Sequence, residues 1–158
     1  MSAPERVVVL RASGLGDLLT VVPALRGLRR TRPSARISLA TPASLTDLAL
    51  LTGAVDEVVP CSGLQTALSV DPPVDMAVNL HGSGPQSHRR LLTLRPDRLI
   101  GFRHPEVPAT DEMPGWDPTE HEVHRWIRLL RSAGVQADPE DLLLDLDLSS
   151  RWLSLIHI

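Results

Sequence analysis

Residues 6–19 read Arg6-Val7-Val8-Val9-Leu10-Arg11-Ala12-Ser13-Gly14-Leu15-Gly16-Asp17-Leu18-Leu19. The run Val7–Leu10 is continuously apolar and β-branched, the pattern of a parallel strand buried on both faces. Ser13 to Asp17 reads as a turn. Beyond it, Leu18, Val21, Val22, Leu25 and Leu28 recur at helical spacing, with Arg26, Arg29 and Arg30 off that stripe. Strand, glycine-containing turn and helix form the opening unit of an α/β domain. Pro23 inside the stripe is expected to kink the helix or delay its regular part.

The same alternation continues outward. Strands are expected at 36–41, 57–60, 75–80 and 98–102. Helices are expected at 44–51, ended near Gly53, and at 86–94, stopped before Pro96. Residues 61–71 are ambiguous, with room for a helical turn or two. Residues 103–116 read as a loop. Asp117-Pro118-Thr119-Glu120 has the chemistry of a helix start, with Asp117 as cap and Glu120 at the third position. Val123, Trp126, Ile127 and Leu130 continue that helix to a stop at Gly134. Residues 141–148 alternate partly and are expected to add a strand. Repeated strand–helix units favour α/β with a mostly parallel sheet.

The chain has 158 residues, 42% of them hydrophobic, which is enough for a core and too apolar for a disordered chain. Sixteen Lys and Arg against nineteen Asp and Glu give a net charge of −3, so no general basic field calls for nucleic acid. The single cysteine, Cys61, excludes an intramolecular disulfide framework and a thiolate-rich metal site. It follows a strand end with no identifiable base and reads as inert. The N-terminus resembles neither a signal peptide nor a membrane span, so a cytoplasmic location is expected.

The first loop narrows the chemistry. Gly14 and Gly16 let a ligand approach the main chain, and free amides at a helix start suit an anion. A dinucleotide fingerprint fails, because the third glycine is missing and the second strand ends Leu39-Ala40-Thr41-Pro42 with no acid for a ribose. Asp17 would also set negative charge where a pyrophosphate sits. The phosphate-binding Walker pattern fails as well. Asp17 itself sits where a helix start favours the ionised carboxylate. It can accept a proton from an attacking hydroxyl, or it can merely cap the helix.

Four stretches carry a family resemblance. They are Val8–Leu19 with Pro23-Ala24-Leu25 and Leu28-Arg29; Asp75–Ser87, reading DMAVNLHGSGPQS; Leu99–Arg103; and His121-Glu122-Val123 with Arg125-Trp126 and Leu129-Leu130. In this order they resemble glycosyltransferase family nine, the lipopolysaccharide heptosyltransferases and their relatives. The resemblance implies a Rossmann-like N-terminal domain, half of a two-domain GT-B fold. It implies inverting transfer of a sugar from a nucleotide-sugar donor, typically an ADP-sugar, to a cell-surface glycan or glycolipid acceptor. No cofactor and no metal are expected. Cytoplasmic work with peripheral contact at the inner membrane face is expected.

The family's general base falls on Asp17. Ser13, Gly14 and Gly16 are expected to shape the acceptor loop. Asn79, His81, Gly82, Ser83 and Gly84 are expected at the cleft from the fourth strand and its loop, Asn79 alternatively as a structural hydrogen bond. Arg11 and Arg103 are candidates for an anionic acceptor, or surface charges. His121 and His124 have metal-pair spacing, yet HEVH is not HExxH, and a polar helix face is the expected reading. Trp126 is expected in the core. The alternative function is a noncatalytic nucleotide- or anion-binding Rossmann-like module centred on Gly14 and Gly16.

By the same resemblance, residues 1–152 are expected to be the acceptor-side domain, incomplete at its end, with the donor-binding C-terminal domain absent. Leu153-Ser154-Leu155-Ile156-His157-Ile158 is expected to be a non-native tail that takes no part in the fold.

Overall fold

The computed structural model describes residues 3–144. Strand β1 (Arg6–Leu10) leads into helix α1 (Leu15–Thr31), then β2 (Arg36–Thr41), a short 3-10 turn and α2 (Thr46–Leu51), and β3 (Glu57–Pro60). After a long connection come β4 (Met76–Asn79), α3 (Gln86–Leu92), β5 (Arg98–Ile100), a second 3-10 turn and α4 (Glu122–Ser132). The five strands form one sheet in the order β3-β2-β1-β4-β5, with every pairing parallel. The chain therefore reverses its direction across the sheet between β1 and β4. That crevice, at the carboxyl ends of the strands, is where open α/β sheets bind ligands.

Strand β1 explains the layering. Successive side chains alternate between faces. Val7 and Val9 pack with Leu18, Val21, Leu25, Ile37, Leu39 and Trp126 on the face covered by α1 and α4. Val8 and Leu10 pack with Ala40, Ala77, Leu91 and Leu99 on the face covered by α3 and the segment before β4. Burial on both faces is why Val7–Leu10 carries no polar residue. On the first face Phe102, Trp116 and Trp126 form a triad with ring centroids 5.3–5.9 Å apart. Arg11, Arg125 and Arg128 each lie over one of these rings, adding cation–π attraction to the packing.

Several expectations change. Helix α1 starts at Leu15 and runs through Pro23, so its regular part is not delayed. The loss of one helical hydrogen bond there is offset by the fully buried Val21, Val22, Leu25 and Leu28. Residues 61–71 form no helix. Helix α4 begins at Glu122, not after Asp117. The Asp117 carboxylate instead accepts from the Thr119 amide and hydroxyl, closing a local turn. The neighbouring carbonyls of Asp117 and Glu120 accept from Arg125. Gly134 has φ +86°, consistent with the stop expected there. Residues 141–144 form no strand, and the remainder of that expected strand, like the expected tail at 153–158, lies outside the described residues.

Candidate active site at the reversal of the sheet

Register sets the site. Leu10 lies opposite Ala40 on one side and Asn79 on the other. The residues that follow β1 and β4 therefore leave the sheet side by side. Gly14 precedes α1, and its carbonyl accepts the first helical bond from Leu18 at 3.0 Å. The amides of Leu15, Gly16 and Asp17 thus point out of the helix start without helical partners. A Cβ added at Gly14 or Gly16 would meet nothing within 4 Å, so the space above the loop is open. Asp17 lies in the first turn with its carboxylate about half exposed, at 53%. Ser13 is half-buried at the start of the loop.

Arg11 stands beneath this loop and is 3% exposed. Neither expectation for it, a site cation or a surface charge, describes what the side chain does. Its Nε donates to the Asp17 carbonyl (3.0 Å), and Nη1 donates to the Leu80 carbonyl (2.9 Å). Nη2 donates to Thr20 Oγ1 (3.2 Å) and Glu122 Oε2 (3.0 Å). The Asp17 carboxylate is 3.5 Å from the same Nη2. One guanidinium thereby braces the first turn of α1, the end of β4 and the start of α4. Burial lowers its pKa below the usual arginine value, with Glu122 and Asp17 opposing the shift. Arg103 is exposed, with its guanidinium against Gly115.

The loop after β4 is organised from below by Asn79, which is fully buried. Its Oδ1 accepts from the amides of His81 (2.9 Å) and Gly82 (3.2 Å). Its Nδ2 donates to Ser87 Oγ (2.7 Å) and lies 2.8 Å from His88 Nδ1. Asn79 therefore shapes the loop through the protein itself and presents no exposed surface. His88, equally buried, has its Nε2 2.7 Å from the Phe102 carbonyl. A carbonyl only accepts, so Nε2 carries the proton and Nδ1 accepts from Asn79. Burial lowers the His88 pKa and favours the neutral ring.

Glycines make room for that ring. A Cβ at Gly84, where φ is +78°, would come 2.4 Å from His88 Cδ2, and one at Gly101 would come 2.6 Å from Cε1. Gly84 thus serves packing, and the Gly82 amide is engaged by Asn79. Ser83, half-buried, lies between them.

His81 is the loop residue that faces Asp17's side. Its Nδ1 accepts from the Ala12 amide at 3.2 Å, joining the two loops. The neutral ring consequently carries its proton on Nε2, which makes that atom a donor. Burial lowers the His81 pKa, the Arg11 charge lowers it further, and Asp17 opposes both.

Sequence reasoning missed His88, Ser87, Thr20 and Glu122. Ser87 and Glu122 lie inside the quoted stretches, yet spacing alone gives none of the four a role. The contacts to Asn79 and Arg11 form only in the fold, the Arg11–Glu122 pair across 111 residues. His121 is the N-cap of α4, accepting from the Val123 amide, and its ring lies 5.7 Å from that of His124. Cys61 and Trp126 are buried, 1% and 0% exposed. Among the described residues no group of three or more His, Cys, Asp or Glu is placed to hold a metal ion. No helix among them is long and apolar enough to cross a membrane.

Compared by sequence, the chain matches no family model and no curated protein. Compared by structure, it is similar to a glycosyl transferase family 9 protein from Veillonella parvula, with a TM-score of 0.71 and 20% identity. That match covers 96% of this chain and 48% of the other. It is also similar to E. coli ADP-heptose lps heptosyltransferase II (TM-score 0.65, 21% identity, 94% of this chain and 48% of that one). A third match is E. coli heptosyltransferase WaaC with ADP (TM-score 0.61, 18% identity, 85% and 50%). The chain spans about half the length of each. Its fold is the Rossmann-like domain of these family 9 and heptosyltransferase structures, the architecture expected of a GT-B N-terminal half.

Proposed function

We propose that this chain is the acceptor-side half of an inverting glycosyltransferase, with Asp17 as general base. One observation carries the reading: a half-exposed carboxylate at the β1/β4 reversal, in the first turn of α1, above a buried arginine. The fold shared with heptosyltransferases supports it. The donor is a nucleotide-sugar of the ADP-sugar class, held mainly by a second, donor-binding domain. The acceptor is a cell-surface glycan or glycolipid, reached in the cytoplasm at the inner membrane face.

The step is a direct displacement. An acceptor hydroxyl oxygen bonds to the anomeric carbon as its proton passes to an Asp17 carboxylate oxygen. The bond from that carbon to the phosphate oxygen breaks, and the nucleoside diphosphate leaves with the electron pair. In this reading the His81 Nε2–H donates to an acceptor oxygen and fixes its orientation, with the ring held through Nδ1 by the Ala12 amide. General-base assistance of this kind contributes roughly 10²–10⁴ in rate. The test is transfer by Asp17→Asn in the chain joined to its donor-binding half, with the fold monitored by melting. A noncatalytic anion-binding module instead predicts that this chain alone binds ADP or phosphate at Gly14 and Gly16. Calorimetry decides that point.

A further inference from the structure

Two carboxylates share one buried arginine at this site, and they share it unequally. Arg11 Nη2 donates to Glu122 Oε2 at 3.0 Å, whereas the Asp17 carboxylate lies at 3.5 Å and takes part in no hydrogen bond with it. Glu122 is held in turn by Arg125 Nη1 on Oε1 (2.9 Å) and by the Trp126 indole N–H on Oε2 (3.2 Å). Trp126 is fully buried, and Arg125 is anchored to the carbonyls of Asp117 and Glu120. The Glu122 carboxylate is therefore fixed from three directions by groups that cannot easily move.

From this geometry we infer that Glu122 is a positioning residue, drawing Arg11 away from Asp17 so that the Asp17 carboxylate stays free to take a proton. The inference rests on Asp17 acting as the base. A carboxylate locked in a full ion pair is a weaker proton acceptor. Arg11 cannot simply be dispensed with, because it braces the loop through the Asp17 and Leu80 carbonyls. Glu122 reconciles the two demands by occupying the donor that would otherwise turn to Asp17. The charged groups that meet at the Arg11 guanidinium are Asp17 on α1 and Glu122 and Arg125 on α4, and His81 after β4 feels both Arg11 and Asp17. Burial and the Arg11 charge lower the His81 pKa, and Glu122 is the anion that competes with Asp17 for Arg11.

Removing the Glu122 charge acts on Asp17 in one direction only. It deletes a like charge and it frees Arg11 to close on Asp17, and both favour the ionised base. In Glu122→Gln, joined to the donor-binding half, the acid limb of the pH profile of kcat/KM moves down by about one pH unit. The plateau falls roughly three- to tenfold, because a weaker base assists less. A merely structural Glu122 would lower stability and leave the limb in place. A second measurement uses this chain alone: a crystal structure of Glu122→Ala, in which Arg11 Nη2 closes to about 3 Å from the Asp17 carboxylate. An unmoved limb in Glu122→Gln, or an Arg11 that keeps its distance from Asp17 in Glu122→Ala, overturns the inference. Asp17→Asn is assayed beside them. Normal transfer by that variant would overturn the general-base reading itself, whereas inactivity with an unmoved Glu122→Gln limb overturns the positioning role alone.

Discussion

Gly101→Ala places a methyl group in space that the His88 ring already fills. The added Cβ would lie 2.6 Å from His88 Cε1 and 2.9 Å from Nδ1. Gly101 has no positive φ, so its backbone accepts alanine and the whole cost is steric. The ring cannot step aside freely, because Nε2 is bonded to the Phe102 carbonyl and Nδ1 to Asn79. Overpacking of this kind costs about 1–3 kcal/mol. Breaking one of the two buried bonds adds roughly 1 kcal/mol or more. The expected loss is about 2–4 kcal/mol, a fall in Tm of roughly 5–15 °C for a chain of this size. Urea unfolding of Gly101→Ala, His88→Ala and the double variant measures it. In the double variant the new methyl occupies space the ring has left. Its destabilisation should therefore be less than the sum of the singles by about 1–3 kcal/mol. A Gly101→Ala chain within about 0.5 kcal/mol of wild type, or strictly additive singles, would refute the packing argument.

Stability should also fall on mild acidification. His81 and His88 both have pKa values below the ordinary 6.5. The unfolded chain takes up their protons near that pH while the folded chain does not, so stability is complete above it. Below it, stability is lost at up to about 1.4 kcal/mol per pH unit for each histidine, until the folded pKa is reached. Urea midpoints at pH 7.5, 6.5 and 5.5 (about one step per unit of the window) check this, and a flat series contradicts it. Two glycines of α1 should respond in opposite ways. Gly27→Ala, whose Cβ would lie 2.5 Å from the Gln136 carbonyl oxygen, should lose about 1–3 kcal/mol. Gly16→Ala has open space and a helical backbone, so it should hold or gain up to about 1 kcal/mol. Its methyl enters the proposed acceptor space, so KM for the acceptor should rise, and equal stability effects at the two positions would contradict the contrast.

Much of the architecture is legible in the sequence, for a physical reason. A strand buried on both faces has no freedom in its composition, so Val7–Leu10 declares itself, and the helical stripe after it admits one interpretation. The start of α4 misleads because capping chemistry is local while the competition is not. Asp117 satisfies its own turn, and Arg125 claims the carbonyls of Asp117 and Glu120 from within α4. The site divides in the same way. Asp17, Gly14 and Gly16 are visible because a short loop fixes their neighbours. The burial of Arg11 is not visible, since its partners Leu80 and Glu122 lie 69 and 111 residues away. His88 is hidden for a similar reason. Only the folded chain brings Gly84 and Gly101 against its ring.

In the proposed reaction the Asp17 carboxylate takes the proton of the attacking hydroxyl. Asp17→Asn changes one atom of a half-exposed side chain, so its Tm should stay close to wild type. The direct measurement is release of nucleoside diphosphate, dependent on acceptor, by wild type and Asp17→Asn of the chain joined to the proposed donor-binding half. Turnover of Asp17→Asn should fall about 100-fold or more with an intact fold. Turnover within about twofold of wild type, far short of what a lost general base removes, would contradict it.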